Sequence, residues 1–252
     1  MPYRFAATSD IGAEREKMED YMAYSDLDGK NENLFCVIAD GTTSREGYFQ
    51  PAQMVVTDII NGVNRLYSEK PEIFRSDPLF CLKVVLSDAN KYLGLLKIAN
   101  EEVFSGYAAS VTCCYFDENR RLFGAHAGNT RLYILRDGKL NQITHDHTVA
   151  ARLVSEGKMD LESYYFSSQR LQMTSGIGLV TDPEIQVFKG RLKENDIILM
   201  TTDGIHYALR PEPMAELLLK AGEPLASTEA LVHGARYEVQ YADNMAAMII
   251  DF

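Results

Sequence analysis

The stretch LFCVIADG, residues 34–41, sets the reading of this chain. Its apolar run reads as a short, fully buried strand, yet it drives straight into Asp40 and Gly41. A carboxylate at the end of a buried segment is costly to ionise unless something compensates its charge. A bound cation is one such compensation.

On either side of this strand, similar β-type runs recur: PYRFAAT, YMAYSD, AASVTCCYF, RLFGAHA, RLYILR, IQVFK, DIILMTT and NMAAMIIDF. Two long helical segments lie between the early and middle runs. The first follows Pro51 and carries Met54, Val55, Ile59, Val63 and Leu66 at helical spacing. The second follows Asp77-Pro78 and carries Leu79, Leu82, Leu86, Leu93 and Leu96, which predicts an antiparallel pair. Near the end, PMAELLLKAG stops at a glycine and STEALVHGARYEV opens on Ser227 as a capping residue, predicting two shorter helices. Strands in consecutive blocks, without strict βαβ alternation, imply an α+β fold of antiparallel sheets covered by helices. The chain carries neither GxGxxG nor GxxxxGK, which argues against a nucleotide-binding fold.

Bulk properties narrow the function further. With 252 residues, 46% of them hydrophobic, and no linker-like or repeated segment, residues 1–252 are expected to form one domain. No apolar run approaches a membrane span and the start has no leader pattern, so a cytoplasmic protein without membrane contact is expected. A formal net charge of −11 without a basic cluster argues against nonspecific nucleic-acid binding. Cys36, Cys81, Cys113 and Cys114 lie in apolar runs without CxxC spacing and read as reduced core residues.

Asp-Gly occurs four times, at 28, 40, 137 and 203. The pairs at 28 and 137 sit in polar surroundings and read as tight turns. The pairs at 40 and 203 instead terminate the apolar runs LFCVIA and IILMTT. Glu19-Asp20 precedes YMAY and Asp243-Asn244 precedes MAAMII, so acidic groups stand at four junctions between loop and strand. These stations can converge at one edge of a sandwich, where oxygen ligands without clustered His or Cys favour Mg²⁺ or Mn²⁺. Gly41 would allow a backbone carbonyl to approach such an ion. Unrelated turn and cap residues remain the alternative at this level.

At these residues the sequence resembles the metal-dependent protein phosphatases of type 2C. SDIGAEREKMEDYMAY looks like the family's first motif, with Arg15 four residues before the Glu19-Asp20 pair. LFCVIADG is similar to the second motif, LFGAHAGNTRLYILRDGKLNQITHDHT to the central segment, and IILMTTDGI and YADNMAAMII to the last two. The resemblance implies a four-layer αββα fold, a central antiparallel β-sandwich flanked by antiparallel helix pairs, with two Mn²⁺ or Mg²⁺ ions at one edge. It implies Asp40, Asp203, Asp243 and the Gly41 carbonyl as metal ligands, with Glu19 and Asp20 holding metal-bound waters. It also implies Arg15 as a clamp on the substrate phosphate; an ordinary surface ion pair is its other reading. No covalent phosphoenzyme is needed, so no cysteine or serine is assigned as nucleophile.

The implied activity is hydrolysis of phosphoserine and phosphothreonine in proteins by a water bridging the two metals, in a monomer regulated by a partner such as an opposing Ser/Thr kinase. A catalytically silent relative that binds phosphoproteins is the alternative. Two departures motivate it. Thr42, Thr43, Ser44 and Arg45 replace the His or Met and glycine pair common after the second motif, leaving no general acid at Thr42. Asn129 stands where the family has the aspartate of a third metal, so a weak or absent third metal is expected, with Asn129 offering a neutral oxygen. His147 is expected to anchor a turn, and His206 is a candidate substrate contact. The segment at about 150–170 corresponds to the family's flap, whose tyrosines would contact a peptide or pack beneath it.

Overall fold

The computed structural model describes residues 2–42, 50–238 and 243–251. Thr43, Ser44 and Arg45 therefore lie outside the described residues, as do Tyr241 and Ala242 of the last motif.

Among the described residues, ten strands form two five-stranded antiparallel sheets. One has the order β2(Asp20–Asp26), β3(Leu34–Thr42), β4(Ala108–Phe116), β5(Arg121–Ala127), β8(Gln186–Arg191). The other has the order β1(Arg4–Asp10), β10(Met245–Asp251), β9(Ile197–Thr201), β6(Arg131–Arg136), β7(Lys139–Gln142). Helices α1(Pro51–Glu69) and α3(Pro78–Ala99) cover the first sheet, and α8(Pro211–Ala221) and α9(Pro224–Glu238) cover the second. The result is the expected α+β, αββα layering.

Strand β3 shows why its run is apolar throughout. Phe35, Val37 and Ala39 pack against α1 and α3, while Leu34, Cys36 and Ile38 face the second sheet. Strand side chains alternate between faces, so a strand covered on both sides must be apolar at every position. Each such fully buried large side chain contributes ~1.5–3 kcal/mol. Continued by one step, the same alternation puts Asp40 on the face between the sheets, at the end where the apolar filling stops.

α1 and α3 each begin with proline in the first turn, and Asp77 accepts a hydrogen bond from Phe80 N at 3.1 Å to cap α3. A short helix, α2(Pro71–Ser76), reverses the chain between them, and α4(Glu101–Phe104) follows α3. Asp137 and Gly138 have φ of 52° and 75°, the paired positive values that a two-residue hairpin between β6 and β7 requires. The expected cap at Ser227 is not observed. α9 begins three residues earlier at Pro224, and Ser227 N already donates to Glu223 O at 2.9 Å within its first turn. Proline's fixed φ suits a helix start, and it outweighs the serine signal. All four cysteines are buried free thiols, and burial raises each thiol's pKa, which removes them as nucleophiles. Among the described residues, no helix is long and apolar enough to cross a membrane.

Candidate active site

The acidic stations meet at one end of the space between the sheets. Asp20 and Asp40 are register partners across β2 and β3, so both carboxylates leave the same face of adjacent strands. Gly41 N donates to Glu19 O at 3.1 Å, which brings Glu19 to the same place. A Cβ on Gly41 would come within 2.9 Å of Ala52 N and of Glu19 O, so the α1 entry packs tightly behind the strand end. From the other sheet, Asp203 opens the single-turn helix α7(Asp203–His206) directly after β9, and Asp243 precedes β10.

Side chains of neighbouring polar residues hold this edge together. Thr202 Oγ1 donates to Asp20 Oδ2 at 2.7 Å and also accepts from Ala246 N at 2.9 Å, joining three strands. Asn244 Oδ1 accepts from Glu19 N at 2.5 Å, while its Nδ2 donates to Ile11 O at 2.8 Å and Lys17 O at 3.1 Å. The loop carrying Arg15 is thereby tied to the start of β10. Arg15 pairs with Asp243 (Nε to Oδ1, 2.6 Å; Nη2 to Oδ2, 2.7 Å) and with Glu19 at 3.4 Å. Its side chain remains 47% exposed, so the guanidinium stands at the rim of the cleft.

The electrostatics of the cluster are unfavourable as it stands. Burial, followed by the charges of Asp203, Asp20, Asp243 and Glu19, pushes Asp40 well above the usual carboxylate range. Burial likewise raises Asp20, against the hydrogen bond from Thr202. Burial and then Asp243 raise Asp203 to about 6, although Asn129, Arg15 and Arg131 pull it down. Among the described residues, no three His, Cys, Asp or Glu side chains are drawn into a ready coordination shell. The donor set nevertheless fits hard divalent cations: it offers oxygen only, from carboxylates whose ionisation a cation would compensate, beside the half-exposed Arg15 and Asp243.

The flanking residues sort clearly. His147 anchors a turn, its ring Nδ1 accepting from Gly128 N (3.1 Å) and its backbone N–H donating to Gly128 O (2.7 Å). His206 is buried, with Nδ1 hydrogen-bonded to Thr201 Oγ1 at 2.8 Å, so it faces the core and not a substrate. Asn129 directs its amide nitrogen to Asp203 Oδ2 at 3.1 Å, because a carboxylate can only accept, and among the described residues its buried Oδ1 has no hydrogen-bond partner. The segment expected as a flap contains α5(Val149–Ser155), α6(Leu161–Phe166) and a 3-10 turn at Ser168–Leu171. Tyr164 packs beneath it, donating to Asp146 Oδ2 at 2.7 Å. Thr202 and Asn244 are the contributors that sequence reasoning missed. The polar Thr201-Thr202 doublet at the end of an apolar run was the available signal for the first, and the asparagine beside Asp243 for the second.

Comparison with known proteins places this architecture. No family model matches the chain. A putative protein phosphatase 2C-type of Streptococcus pyogenes is 23% identical over 85% of this chain and 84% of its own length. The serine/threonine protein phosphatase PstP of Mycobacterium tuberculosis is 29% identical over 85% of this chain, which spans 38% of that protein's length. In structure, the serine/threonine phosphatase Stp1 of Staphylococcus aureus superposes with a TM-score of 0.88 at 20% identity, covering 100% of this chain and 96% of that one. The catalytic domain of PstP in complex with two manganese ions superposes with a TM-score of 0.79 at 24% identity, covering 99% and 97%. The fold is that of the PP2C-type serine/threonine protein phosphatases. The sequence relatives are named as protein phosphatases, of 2C type for the Streptococcus pyogenes protein.

Proposed function

We propose that the protein hydrolyses phosphoserine and phosphothreonine esters in proteins with the help of two divalent cations, Mn²⁺ or Mg²⁺. The carrying observation is the convergence of Asp20, Asp40, Asp203 and Asp243 from two sheets onto one edge, where burial and mutual repulsion disfavour ionisation of Asp20, Asp40 and Asp203 unless a cation compensates it. In this reading Asp40, Asp203, Asp243 and the Gly41 carbonyl hold the ions, and Glu19 and Asp20 orient water at them. When bound, two such ions supply an activated water near neutral pH and neutralise charge as phosphorus is attacked. The manganese-bound PstP structure supports a dinuclear centre in this fold.

The chain's own groups do the rest. Arg15 stands at the cleft rim with a forked donor suited to two phosphate oxygens, and Asp243 and Glu19 hold it there. Thr202 fixes the Asp20 rotamer, and Asn244 fixes the Arg15 loop against β10. The same reading treats residues 1–252 as one catalytic domain, acting as a cytoplasmic monomer on phosphoproteins with an opposing Ser/Thr kinase as regulatory partner.

The test is Asp203→Asn combined with a Mn²⁺ titration of p-nitrophenyl phosphate hydrolysis. Metal uptake and hydrolysis should fall together. Full activity in the variant would contradict the assignment, and calorimetric Mn²⁺ binding without turnover in the unmodified protein would favour the silent phosphoprotein binder.

A further inference from the structure

The turn that carries Asn129 is unusually fixed. Gly128 has φ of +121°, and a Cβ there would lie 2.5 Å from Ser110 Cβ, so the backbone lies directly against β4. Asn129 N and Thr130 N both donate to Ser110 Oγ, at 2.7 and 2.6 Å. From this fixed point the buried Asn129 side chain reaches two ways: its Nδ2 donates to Asp203 Oδ2 at 3.1 Å and to Tyr207 Oη at 3.4 Å. Tyr207 then donates its hydroxyl proton to Arg170 O at 2.7 Å, in the 3-10 turn that closes the flap-like segment. The Arg170 guanidinium lies over the Tyr207 ring, 4.4 Å from its centroid.

Elsewhere the segment is held by a handful of polar contacts, and at the far end of the turn Val149 N donates to Gln172 O at 2.9 Å. Tyr164 meets Asp146 and Arg131, and Glu162 meets Arg210 at 3.0 Å on both oxygens. A cavity of about 550 Å³, lined by Arg131, His147, Thr148, Arg152, Tyr164 and Tyr165 among others, lies beneath α5 and α6. A segment docked by discrete hydrogen bonds over a cavity responds to the loss of one of them more than a solidly packed one does.

We propose that Asn129 and Tyr207 are positioning residues that form a hydrogen-bonded strut between Asp203 and the turn at Ser168–Leu171, so that cation loading and flap order are a single coupled equilibrium. Anything that orders Asp203 orders the turn, and by linkage the reverse holds. The cation half of this statement rests on the function proposed above; the strut itself does not.

Hydrogen exchange of residues 167–172 in the full chain tests it, first without metal, for the unmodified protein, Tyr207→Phe, Asn129→Ala and the double variant. Tyr207→Phe keeps the ring and removes only the hydroxyl; Asn129→Ala does not touch the turn at all. Each should speed exchange about fivefold, the scale of one lost hydrogen bond, and the double variant should be no faster than either single one. Unchanged exchange in Tyr207→Phe, or a double variant showing the product of the two effects, overturns the strut. Mn²⁺ should then slow exchange of the turn in the unmodified protein and not in Tyr207→Phe; equal slowing in both overturns the coupling. Absence of any Mn²⁺ binding would sink the proposed function while the metal-free cycle still decides the strut.

Discussion

Two groups of buried charge lie within electrostatic reach of each other and are built on opposite plans. Around Arg131 the charges are balanced and each guanidinium nitrogen has a partner: Nε and Nη2 meet Asp146 at 2.8 and 2.6 Å, and Nη1 meets Tyr133 Oη at 3.0 Å. Gln142 and Tyr164 satisfy Asp146 further, at 3.0 and 2.7 Å. Burial alone would raise the Asp146 carboxyl, but the Arg131 guanidinium wins and holds it well below the usual range. At the strand ends the opposite holds, because burial and like charges push Asp40 and Asp20 upward together. A closed charge cluster secures structure, and an open one is poised for a ligand of opposite sign.

The difference can be broken from either side. The largest effect is expected from Asp40→Asn, which should lower Mn²⁺-dependent hydrolysis of p-nitrophenyl phosphate by more than ~100-fold, beyond the loss typical of outer-shell partners. Yet its metal-free melting temperature should not fall, since the substitution removes repulsion. Asp146→Ala should do the reverse to stability: it strands a buried guanidinium, at a cost of about 3–5 kcal/mol in urea unfolding. Mn²⁺ at a hundred times its dissociation constant should stabilise the unmodified protein by about 2.7 kcal/mol and leave Asp40→Asn nearly unmoved in the same assay.

The smallest effect concerns pH. Asp203 is raised to about 6 in the folded chain, so its favourable contribution is present below the ordinary carboxylate value of 3.8 and is lost as pH rises through about 6. Asp146 is lowered, so its contribution is fully present above the ordinary value and is lost only in stronger acid. Between pH 4.5 and 7 the metal-free melting temperature should therefore decline by a few degrees from the open cluster alone. Mn²⁺ should cancel that slope, and Asp40→Asn should flatten it.

The strands were legible because alternation and apolar content act locally. AASVTCCYF, RLFGAHA and RLYILR coincide with β4, β5 and β6. The acidic stations were legible for a related reason: a carboxylate closing a buried run conflicts with its neighbours, and that conflict is visible in one dimension. What the sequence withheld is pairing across long separations. Nothing local tells that Thr202 reaches Asp20, that Asn244 holds the loop from Ile11 to Lys17, or that Tyr207 meets Arg170. These contacts depend on which strand lies beside which. Helix α2 and the true start of α9 escaped because proline signals compete with caps over only a few residues. His206 read as a cleft residue from its spacing to Asp203, but the single turn of α7 swings its ring toward Thr201.

If carboxylates from two sheets share divalent cations at one edge, the ions should be visible there. A crystal soaked in Mn²⁺ and measured at a wavelength where manganese scatters anomalously should show two anomalous peaks among Asp40, Asp203, Asp243 and the Gly41 carbonyl. A well-ordered edge with no peak between these residues would contradict that sharing.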